Sequence, residues 1–279
     1  MNIAAILTCF NRKEKTIVCL RSLFSIIPNI EVYLTDDGCT DGTPEAVREL
    51  YPLSVHIVNG NGNLYWSRGM YTAWKEAIKD NYDYYIWLND DIELYPFFFK
   101  ELFECNSIGG GNCIISGLIE DFEHNKILYG GTGFDGKLNQ PSEIPQPVSH
   151  MNGNVVLVPA SVVEKIGIID PVLHHDLGDV DYGLTAIENG INVYTTRKAI
   201  AAGYSNDFCR VRKWGTTIFK RFKRLNHPLG SPLKINFYYR NKHFGYFHAV
   251  LFCSYLIFIN LLPDCIIGYF CGEIYKDKE

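Results

Sequence analysis

Residues 84–91 read Tyr84-Tyr85-Ile86-Trp87-Leu88-Asn89-Asp90-Asp91, an apolar run that ends in an amide and two carboxylates. The run is short, aromatic and uncharged, which is typical of a strand buried on both faces in a parallel sheet. Adjacent carboxylates repel each other unless a cation or a hydrogen-bond donor lies between them. Because ligands bind at the carboxyl ends of strands in open α/β sheets, the stretch indicates a divalent cation held by oxygen. A solvated turn is the competing interpretation, since Asn and Asp are good turn residues.

The composition indicates a globular protein with reduced thiols. The chain has 279 residues, and the 47% that are hydrophobic are enough for a large core and too many for a disordered protein. A net charge of −5 gives no reason to expect nucleic acid as a partner. Nine cysteines are scattered without a C-x-x-C pair, which favours free thiols in a cytosol over a disulfide scaffold or a zinc site. The apolar start is too short for a signal peptide and lacks a basic region.

Predicted strands and helices alternate along the first third of the chain. Hydrophobic periodicity predicts strands at 3–7, 31–34, 55–58 and 84–88. Helices are predicted between them at 15–24, after a Thr43 cap with Pro44, and from Ser67-Arg68-Gly69 to about Lys79. This alternation predicts a parallel sheet with right-handed crossovers.

The later part of the chain departs from this repeat. A helix at 96–104 and strands at 114–119, 155–158 and 193–195 are predicted, with hairpins or a mobile flap at 120–150. Residues 161–164 form a capping box for a helix that Gly167 ends. A further helix follows the polar segment 174–181 and runs to Asn189-Gly190.

Polar clusters follow three of the predicted strands, at residues 8–12, 36–41 and 89–91. Because the carboxyl ends of parallel strands meet at one edge of a sheet, we expect these clusters to lie together. A fourth cluster, residues 174–181, has two histidines and three carboxylates before a helix, more than a helix cap needs. Its adjacent His174 and His175 do not face each other on a regular element, so we expect loop residues rather than joint metal ligands. Arg68, in the first turn of a helix, either contacts an anion or reaches away from the site.

The C-terminal part has a different pattern. Residues 210–224 carry seven basic and no acidic side chains among apolar ones, which predicts a basic amphipathic helix for an anionic membrane or a pyrophosphate-bearing acceptor, or simply a solvated face. Residues 244–263 contain no Asp, Glu, Lys or Arg and are just long enough to span a bilayer. His248, Asn260 and the following Asp264 favour a helix in the membrane interface or docked on a partner, with a simple packed helix as the alternative.

Over residues 1–205 the chain resembles glycosyltransferase family 2, which has the GT-A fold. The motifs that carry the resemblance are 36–43, 89–91 and 178–181, in the family's order. Segments 62–69 and 151–154 are similar to a bacterial branch that builds surface polysaccharides. The resemblance implies an α/β fold, with a Rossmann-like, mostly parallel sheet flanked by helices. It implies a catalytic domain at 1–205 that binds a nucleotide sugar, followed by a helical extension at 206–279.

The resemblance also implies roles for single residues. Asp36 would accept the ring N–H of a uracil or thymine, and Arg68 would lie near the diphosphate. The family's metal motif is usually Asp-x-Asp; because Asn89 replaces the first Asp, Asp91 is the expected direct ligand of Mg²⁺ or Mn²⁺. Asp179 matches the catalytic base, and Asp181 would support the site. The implied donor-binding residues are Thr8, Phe10, Arg12, Asp36, Asp37, Asn63, Trp66, Arg68, Asn89, Asp90 and Asn154.

By this resemblance the chain is expected to be an inverting, metal-dependent glycosyltransferase. It would move a sugar from a UDP- or dTDP-type donor to a hydroxyl of a glycan or lipid-linked acceptor in cell-surface polysaccharide synthesis. We expect it in the cytoplasm, at the inner face of the cell membrane. Residues 210–224 and 244–263 would contact the membrane. The sequence leaves open whether the protein forms a homo-oligomer. One alternative is a non-catalytic sugar-nucleotide-binding or scaffold protein of the same fold. Another, a nucleotidyltransferase, would need a glycine-rich phosphate loop after the first strand, and residues 8–12 contain no glycine.

Overall fold

The computed structural model describes residues 1–205 and 210–271, so 206–209 and 272–279 of the predicted extension lie outside the described residues. The strands are β1 Ile3–Cys9, β2 Glu31–Asp36, β3 Val55–Asn59, β4 Tyr84–Leu88, β5 Glu93–Leu94, β6 Ile114–Asp121, β7 Ile127–Tyr129, β8 Gly131–Thr132, β9 His150–Met151, β10 Val155–Pro159 and β11 Val193–Gly203. The helices are α1 Lys13–Ile26, α2 Thr43–Leu50, α3 Tyr65–Ala77, α4 Phe98–Ile108, α5 Ala160–Ile166, α6 Gly178–Glu188, α7 Ile218–Leu225, α8 Leu233–Phe244, α9 Tyr246–Leu261 and α10 Asp264–Cys271.

The chain divides into two compact units. Unit 1 comprises Met1–Pro171 and Gly178–Ser205, and it contains all the strands of the described residues. Unit 2 comprises Val172–Leu177 and the described part of Asn206–Glu279, with helices α7 to α10.

Nine strands of the described part of unit 1 form one sheet in the order β3-β2-β1-β4-β10-β6-β11-β5, with β7 paired to β6. Strand β1 is parallel to β2 and β4, and β2 is parallel to β3, so the predicted parallel arrangement of the first four strands is confirmed. Strand β10 is antiparallel to β4 and β6. Its first residue, Val155, pairs with Leu88 at the end of β4. This reversal brings the residues before β10 to the edge where β4 ends.

Strand β4 is buried on both faces, as its apolar run predicts. Ile86 and Leu88 belong to a core cluster that includes side chains of α1, α2 and α4. Tyr85 and Trp87 belong to a second cluster with side chains of α3, α5 and α6. Trp87 is fully buried, and burying a side chain of this size stabilises the fold by more than about 2 kcal/mol. The central sheet is therefore covered by helices on both faces.

Two predicted helix caps are wrong in detail. Thr43 is the first residue of α2 and donates its backbone N–H (3.1 Å) and its hydroxyl (2.5 Å) to Asp41, so Asp41 provides the cap. Ser161 lies inside α5, which begins after Pro159 without a side-chain cap, and its hydroxyl donates to Asn112. Gly167 ends α5 with a φ of 77°, as predicted.

Strand β11 is much longer than the predicted strand at 193–195. The prediction ends early because charged residues interrupt the apolar pattern of the strand. Arg197 donates to Glu101 at 2.8 Å, so its charge is paired, and a shift in register follows Thr195. The short edge strand β5 pairs with the far end of β11 and was not predicted. Segment 120–150 contains short antiparallel pairings, including β8 with β9, as its composition indicates.

Residues 210–217 are not helical, so the predicted basic helix is wrong except for α7. Arg212 is 1% exposed and donates to Asp264 at 2.5 Å, and Arg221 donates to the same carboxylate at 2.9 Å. Both guanidinium groups also donate to the carbonyl oxygen of Leu262, just after α9. These two basic side chains therefore hold unit 2 together instead of facing solvent.

Gly245, whose φ of 85° separates α8 from α9, lies at the start of the apolar stretch 244–263, most of which forms α9. The 16 residues of α9 extend roughly 24 Å, less than the hydrocarbon thickness of about 30 Å. Of the described residues, no helix has the length and apolar character needed to cross a membrane. Leu256 and Ile259 pack in the core of unit 2, whereas Phe247 is 75% and Phe258 59% exposed.

Candidate active site

The two carboxylates that follow β4 are bridged by one side chain. Arg12, which immediately precedes α1, donates through the same Nη1 to Asp91 Oδ2 at 2.7 Å and to Asp90 Oδ1 at 3.2 Å. Thr16, one turn later, donates its hydroxyl to Asp90 Oδ2 at 3.2 Å. The repulsion expected within this acidic pair is therefore relieved by a cation and a hydroxyl from α1.

Asp90 and Asp91 have different environments. Burial raises the pKa of Asp90 to about 6; the charge of Arg12 opposes this rise and that of Asp91 adds to it. The side chain of Asp90 is 7% exposed and that of Asp91 is 22% exposed. Asp91 thus offers the more accessible carboxylate of the pair.

Asn89 is fixed by an aromatic side chain and a second amide. Its Oδ1 accepts from Nε1 of Trp66 at 2.7 Å, and its Nδ2 donates to Oδ1 of Asn154. Nδ2 of Asn154 in turn donates to Oδ1 of Asn152 at 2.6 Å. An aspartate at position 89 has no N–H to donate to Asn154, so this network explains why the chain carries an amide here.

Asp179 is the second residue of α6 and is joined to the same network. Its Oδ2 accepts the backbone N–H of Gly153 at 2.9 Å, and its Oδ1 accepts the N–H of Val180 at 2.9 Å. A Cβ atom at position 153 would lie 2.6 Å from Cζ2 of Trp66 and 3.1 Å from Cβ of Asp179. Only glycine permits this close approach, and Asn154 follows it directly. Asn89 and Asp179 are therefore linked through three consecutive residues, 152–154.

Asp37 is buried and organises the loop before α3. Its carboxylate accepts three backbone N–H groups, from Gly62 at 2.9 Å, Leu64 at 2.9 Å and Tyr65 at 3.0 Å. The last two belong to the start of α3, where backbone donors lack helical partners. This explains why α3 begins at Tyr65, earlier than the predicted Ser67. In this structure Asp37 shapes the loop through its hydrogen bonds.

The residues expected around the nucleotide base lie at the ends of β1 and β2. Asp36 accepts the backbone N–H of Cys39 at 2.7 Å and is half-buried. Thr8 is half-buried at the end of β1, and Phe10 is 52% exposed just beyond it. Asn63 is exposed in the loop before α3. Their roles in binding a donor stay predictions.

Arg68 lies in the first turns of α3. Its Nε donates to the carbonyl oxygen of Pro171 at 2.9 Å, so the side chain is held against the end of the segment that follows α5. Its role beside a diphosphate stays a prediction.

Three contributors to this site were not singled out from the sequence. Thr16 lies one helical turn after Arg12, and that spacing was a usable signal. Asn152 and Gly153 belong to a quoted motif, but their contacts depend on the antiparallel course of β10. The bridging role of Arg12 had no signal, since 78 residues separate it from Asp90.

The donor set at the end of β4 suits Mg²⁺ or Mn²⁺. Two carboxylate oxygens converge on one nitrogen of Arg12, so the acidic pair already accommodates a positive charge. Oxygen ligands are those that such hard cations prefer. Asp91, with Asp90 behind it, would hold the ion.

The comparisons with known proteins concern the first part of the sequence and the fold. Residues 4–124 match the model of Glycosyl transferase family 2. The matched segment contains Asp36, Arg68 and the motif 89–91, and it ends before Asn154 and Asp179. No curated protein matches the chain.

Solved structures of glycosyltransferases share the fold. The mannosyltransferase PcManGT from Pyrobaculum calidifontis, in complex with GDP-Man and Mn²⁺, is 16% identical with a TM-score of 0.58, over 93% of this chain and 70% of that one. TarS from S. aureus is 12% identical with a TM-score of 0.58, over 98% of this chain but only 46% of TarS. A structure of TarS 1–349 gives a TM-score of 0.54 over 98% of this chain and 74% of that one, at 12% identity. The predicted GT-A fold is thus confirmed.

Proposed function

We propose that this chain belongs to glycosyltransferase family 2 and transfers a sugar from a nucleoside diphosphate donor to an acceptor hydroxyl with inversion. The observation that carries the proposal is the continuous set of contacts from Arg12 and the acidic pair 90–91, through Asn89 and residues 152–154, to Asp179. These residues come from four separate segments and converge at one sheet edge. The family match over 4–124 and the fold of the solved relatives support the assignment.

In this proposal Asp179 is the general base. Its carboxylate takes the proton from the acceptor hydroxyl as that oxygen attacks the sugar, a contribution of roughly 10²–10⁴-fold. The backbone N–H of Gly153 donates to Oδ2 and so orients the side chain. With one base and no separate nucleophile, the reaction is a single displacement, so the anomeric configuration inverts.

The other residues hold the donor. Asp36 binds the base, and Arg68 lies toward the diphosphate and balances the charge of the leaving group. Asp91, supported by Asp90, holds Mg²⁺ or Mn²⁺, which when bound supplies Lewis-acid stabilisation of the departing phosphates.

The decisive experiment measures donor binding and transfer in the same preparations. A panel of nucleotide sugars that includes UDP-, dTDP- and GDP-linked donors is screened by thermal shift with Mn²⁺. A donor at 100 times its Kd stabilises the fold by about 2.7 kcal/mol. Transfer with the selected donor is followed with glycan and lipid-linked acceptors, and inversion is read from the product's anomeric configuration.

Asp179→Asn is the variant that tests the base. Asparagine still accepts from Gly153 and suits a helix start, so the fold and donor affinity are expected to change little while transfer falls at least 10²-fold. Glu164→Gln, an exposed carboxylate on α5, is the control. Wild-type transfer rates in Asp179→Asn would contradict the assignment.

Asp91→Ala is the variant that tests the metal. We expect it to remove the part of donor affinity that depends on Mn²⁺ in a calorimetric titration, with Glu164→Ala as control. Unchanged Mn²⁺-dependent affinity would show that the ion is held elsewhere.

A non-catalytic sugar-nucleotide-binding protein is the second candidate, favoured by the neutral Asn89 whose amide is engaged by Trp66 and Asn154. Such a protein binds the donor but neither transfers the sugar nor hydrolyses it when Mn²⁺ is added. Metal-stimulated donor hydrolysis separates the two candidates without knowledge of the acceptor.

Unit 2 is the proposed membrane-contacting part, at the inner face of the cell membrane. Its helix α9 exposes Phe247, Leu251 and Phe258, and α7 exposes Lys220 and Lys223. Exposed aromatics and exposed lysines in the same unit suit the interface of an anionic bilayer. A lipid-linked acceptor in surface-polysaccharide synthesis would be presented at such a surface.

A further inference from the structure

Two cysteines and a carboxylate, none of them part of the acidic pair 90–91, meet at the ends of β1 and β2. Cys9 ends β1, Asp36 ends β2, and Cys39 follows three residues later. The two sulfur atoms are 3.8 Å apart, and one potential ligand atom from each of the three residues lies within 4.8 Å of the others. Among the described residues, this is the group of three acidic, cysteine or histidine side chains found at metal-binding distances.

The topology of β1 and β2 places these groups together. Cys9 pairs with Asp36 in the parallel register of the two strands. Gly38, with a φ of 80°, then turns the chain so that Cys39 returns to Cys9. The sequence gives no sign of this, because 30 residues separate the cysteines and neither belongs to a C-x-x-C pair.

The geometry suits a tetrahedral thiolate site. Zn–S bonds of about 2.3 Å at tetrahedral angles place two sulfur ligands about 3.8 Å apart. The Sγ atoms of Cys9 and Cys39 already have this separation. The backbone N–H of Asn11 donates to Sγ of Cys39 at 3.2 Å, and the backbone N–H of Cys39 donates to Asp36 at 2.7 Å. Cys39 and Asp36 are therefore each oriented by a hydrogen bond from the backbone. Soft sulfur ligands select Zn²⁺ over Mg²⁺ or Mn²⁺.

We propose that Cys9, Cys39 and Asp36 form a Zn²⁺ site, distinct from the oxygen-ligand site at Asp91. The three side chains leave the fourth tetrahedral position open to water or another ligand. Because Asp36 is also the residue proposed to bind the donor's base, Zn²⁺ and the donor compete for it. This second step rests on the proposed function, whereas the metal site does not.

Both thiols must lose a proton when the metal binds. Cysteine thiols have an ordinary pKa of about 8.5, so they are mostly protonated at neutral pH and bind Zn²⁺ as thiolates. Zinc binding therefore releases protons, and the measured binding heat depends on the ionisation heat of the buffer.

The test is a Zn²⁺ titration of the reduced, metal-free full chain by calorimetry in two buffers of different ionisation heat. Cd²⁺ serves as a second probe, since cadmium thiolates absorb in the ultraviolet. We expect one high-affinity site with proton release in the wild type. Cys39→Ser is expected to weaken this binding at least tenfold and to reduce the Cd²⁺ absorbance.

Two further variants keep the result interpretable. Cys265→Ser removes an exposed thiol of unit 2 and should leave the high-affinity site unchanged. Asp36→Asn retains an acceptor for the N–H of Cys39 and should weaken Zn²⁺ binding without unfolding the loop, which thermal unfolding without metal verifies. High-affinity binding that survives in Cys39→Ser, or that is lost in Cys265→Ser, overturns the proposal.

Competition is measured separately. Zn²⁺ should weaken binding of UDP or GDP in the presence of Mn²⁺ at least fivefold in the wild type, and have no such effect in Cys39→Ser. A chain that binds Zn²⁺ but no nucleotide refutes the proposed function and leaves the metal site intact. A chain that binds nucleotide but no Zn²⁺ refutes only the metal site.

Discussion

At the scale of single residues, Asp37 couples the end of β2 to the start of α3 through three backbone N–H groups. An asparagine has one acceptor oxygen in place of two, so Asp37→Asn leaves at least one partly buried N–H without its present acceptor. Each such loss costs about 1–3 kcal/mol, and we expect the free energy of unfolding to fall by at least that amount in urea denaturation. Glu49→Gln, at an exposed position on α2, is the control. A loss no larger than that of Glu49→Gln would show that Asp37 does not hold the loop.

The positions of the main site residues could be predicted because strand ends are visible in the sequence. Asn89, Asp90 and Asp91 follow a strand whose bounds periodicity predicts correctly. Their partners could not be predicted. Arg12 reaches the acidic pair because β1, which leads to it, lies next to β4 in the sheet. Asn154 reaches Asn89 because β10 is antiparallel to β4. Both contacts depend on tertiary structure that local pattern does not specify.

At the scale of elements, Gly153 is the point where the segment before β10 passes between Trp66 and the start of α6. A Cβ atom there meets the Trp66 ring and Asp179, so Gly153→Ala displaces one of them. On the proposed function, we expect transfer to fall at least tenfold with a smaller change in donor affinity. Steady-state kinetics measure this, with the larger change expected in kcat and the smaller one in the KM for the donor.

Gly110→Ala is the control for substitution itself, because no atom lies within 4 Å of a Cβ placed there. It has a positive φ, so some loss of stability is expected without loss of transfer. If Gly153→Ala keeps full transfer, the contact between this segment and α6 is not needed for the reaction.

The junction of α9 and α10 predicts a pH dependence of stability. Burial alone would raise the pKa of Asp264, but hydrogen bonds from Arg212 and Gly215 and the charges of Arg221 and Arg212 together lower it. A carboxyl group with a lowered pKa stabilises the fold above its ordinary pKa and loses this contribution as the pH falls through the folded-state pKa.

We therefore expect Asp264→Asn to lower the Tm at pH 7, with the difference from the wild type narrowing as the pH falls below 4. Thermal unfolding across pH 3–7 measures this. Asp135→Asn, in an exposed turn, is the control. A difference that is constant with pH would contradict the paired state of Asp264.

The same junction explains why the basic segment was only partly predicted. Charge and spacing predict an amphipathic helix at 210–224. They do not reveal that Arg212 and Arg221 both donate hydrogen bonds to Asp264 and to the carbonyl oxygen of Leu262. A buried guanidinium has no signature of its own in the sequence.

At the scale of the whole molecule, the exposed apolar face of α9 predicts binding to anionic membranes. We expect the full chain to co-sediment with vesicles containing phosphatidylglycerol and to release them at high salt, because lysine attraction is screened. Phe247→Ser with Phe258→Ser should weaken binding at least fivefold. Phe134→Ser, 72% exposed in unit 1, is the matched control.

Equal sedimentation of the two-residue variant and the wild type would place the membrane contact elsewhere. Light scattering distinguishes membrane binding from dimerisation through α9. If α9 pairs with a second copy of the chain, the wild type is dimeric, the two-residue variant is monomeric, and neither binds vesicles.

The fold class could be predicted from the alternation of strands and helices, which requires a parallel sheet over β1 to β4. The strand directions in the second half of the sheet could not be predicted, because a buried apolar strand has the same sequence pattern whether it pairs in parallel or antiparallel. Residues 155–158 are predicted as a strand, but the antiparallel course of β10 is set by its pairing with β4 and β6. The break at Gly245 likewise depends on a single φ angle that hydropathy does not report.

The neutral amide at position 89 has a consequence for the order in which ligands load. Asn89 brings no charge, and Arg12 balances one of the two carboxylates, so the local sum is close to a single negative charge. Such a weak electrostatic trap retains a divalent ion poorly until a pyrophosphate adds its own negative charges. On the proposed function, the ion and the nucleotide therefore load synergistically as one complex, and raising either concentration tightens the apparent affinity for the other.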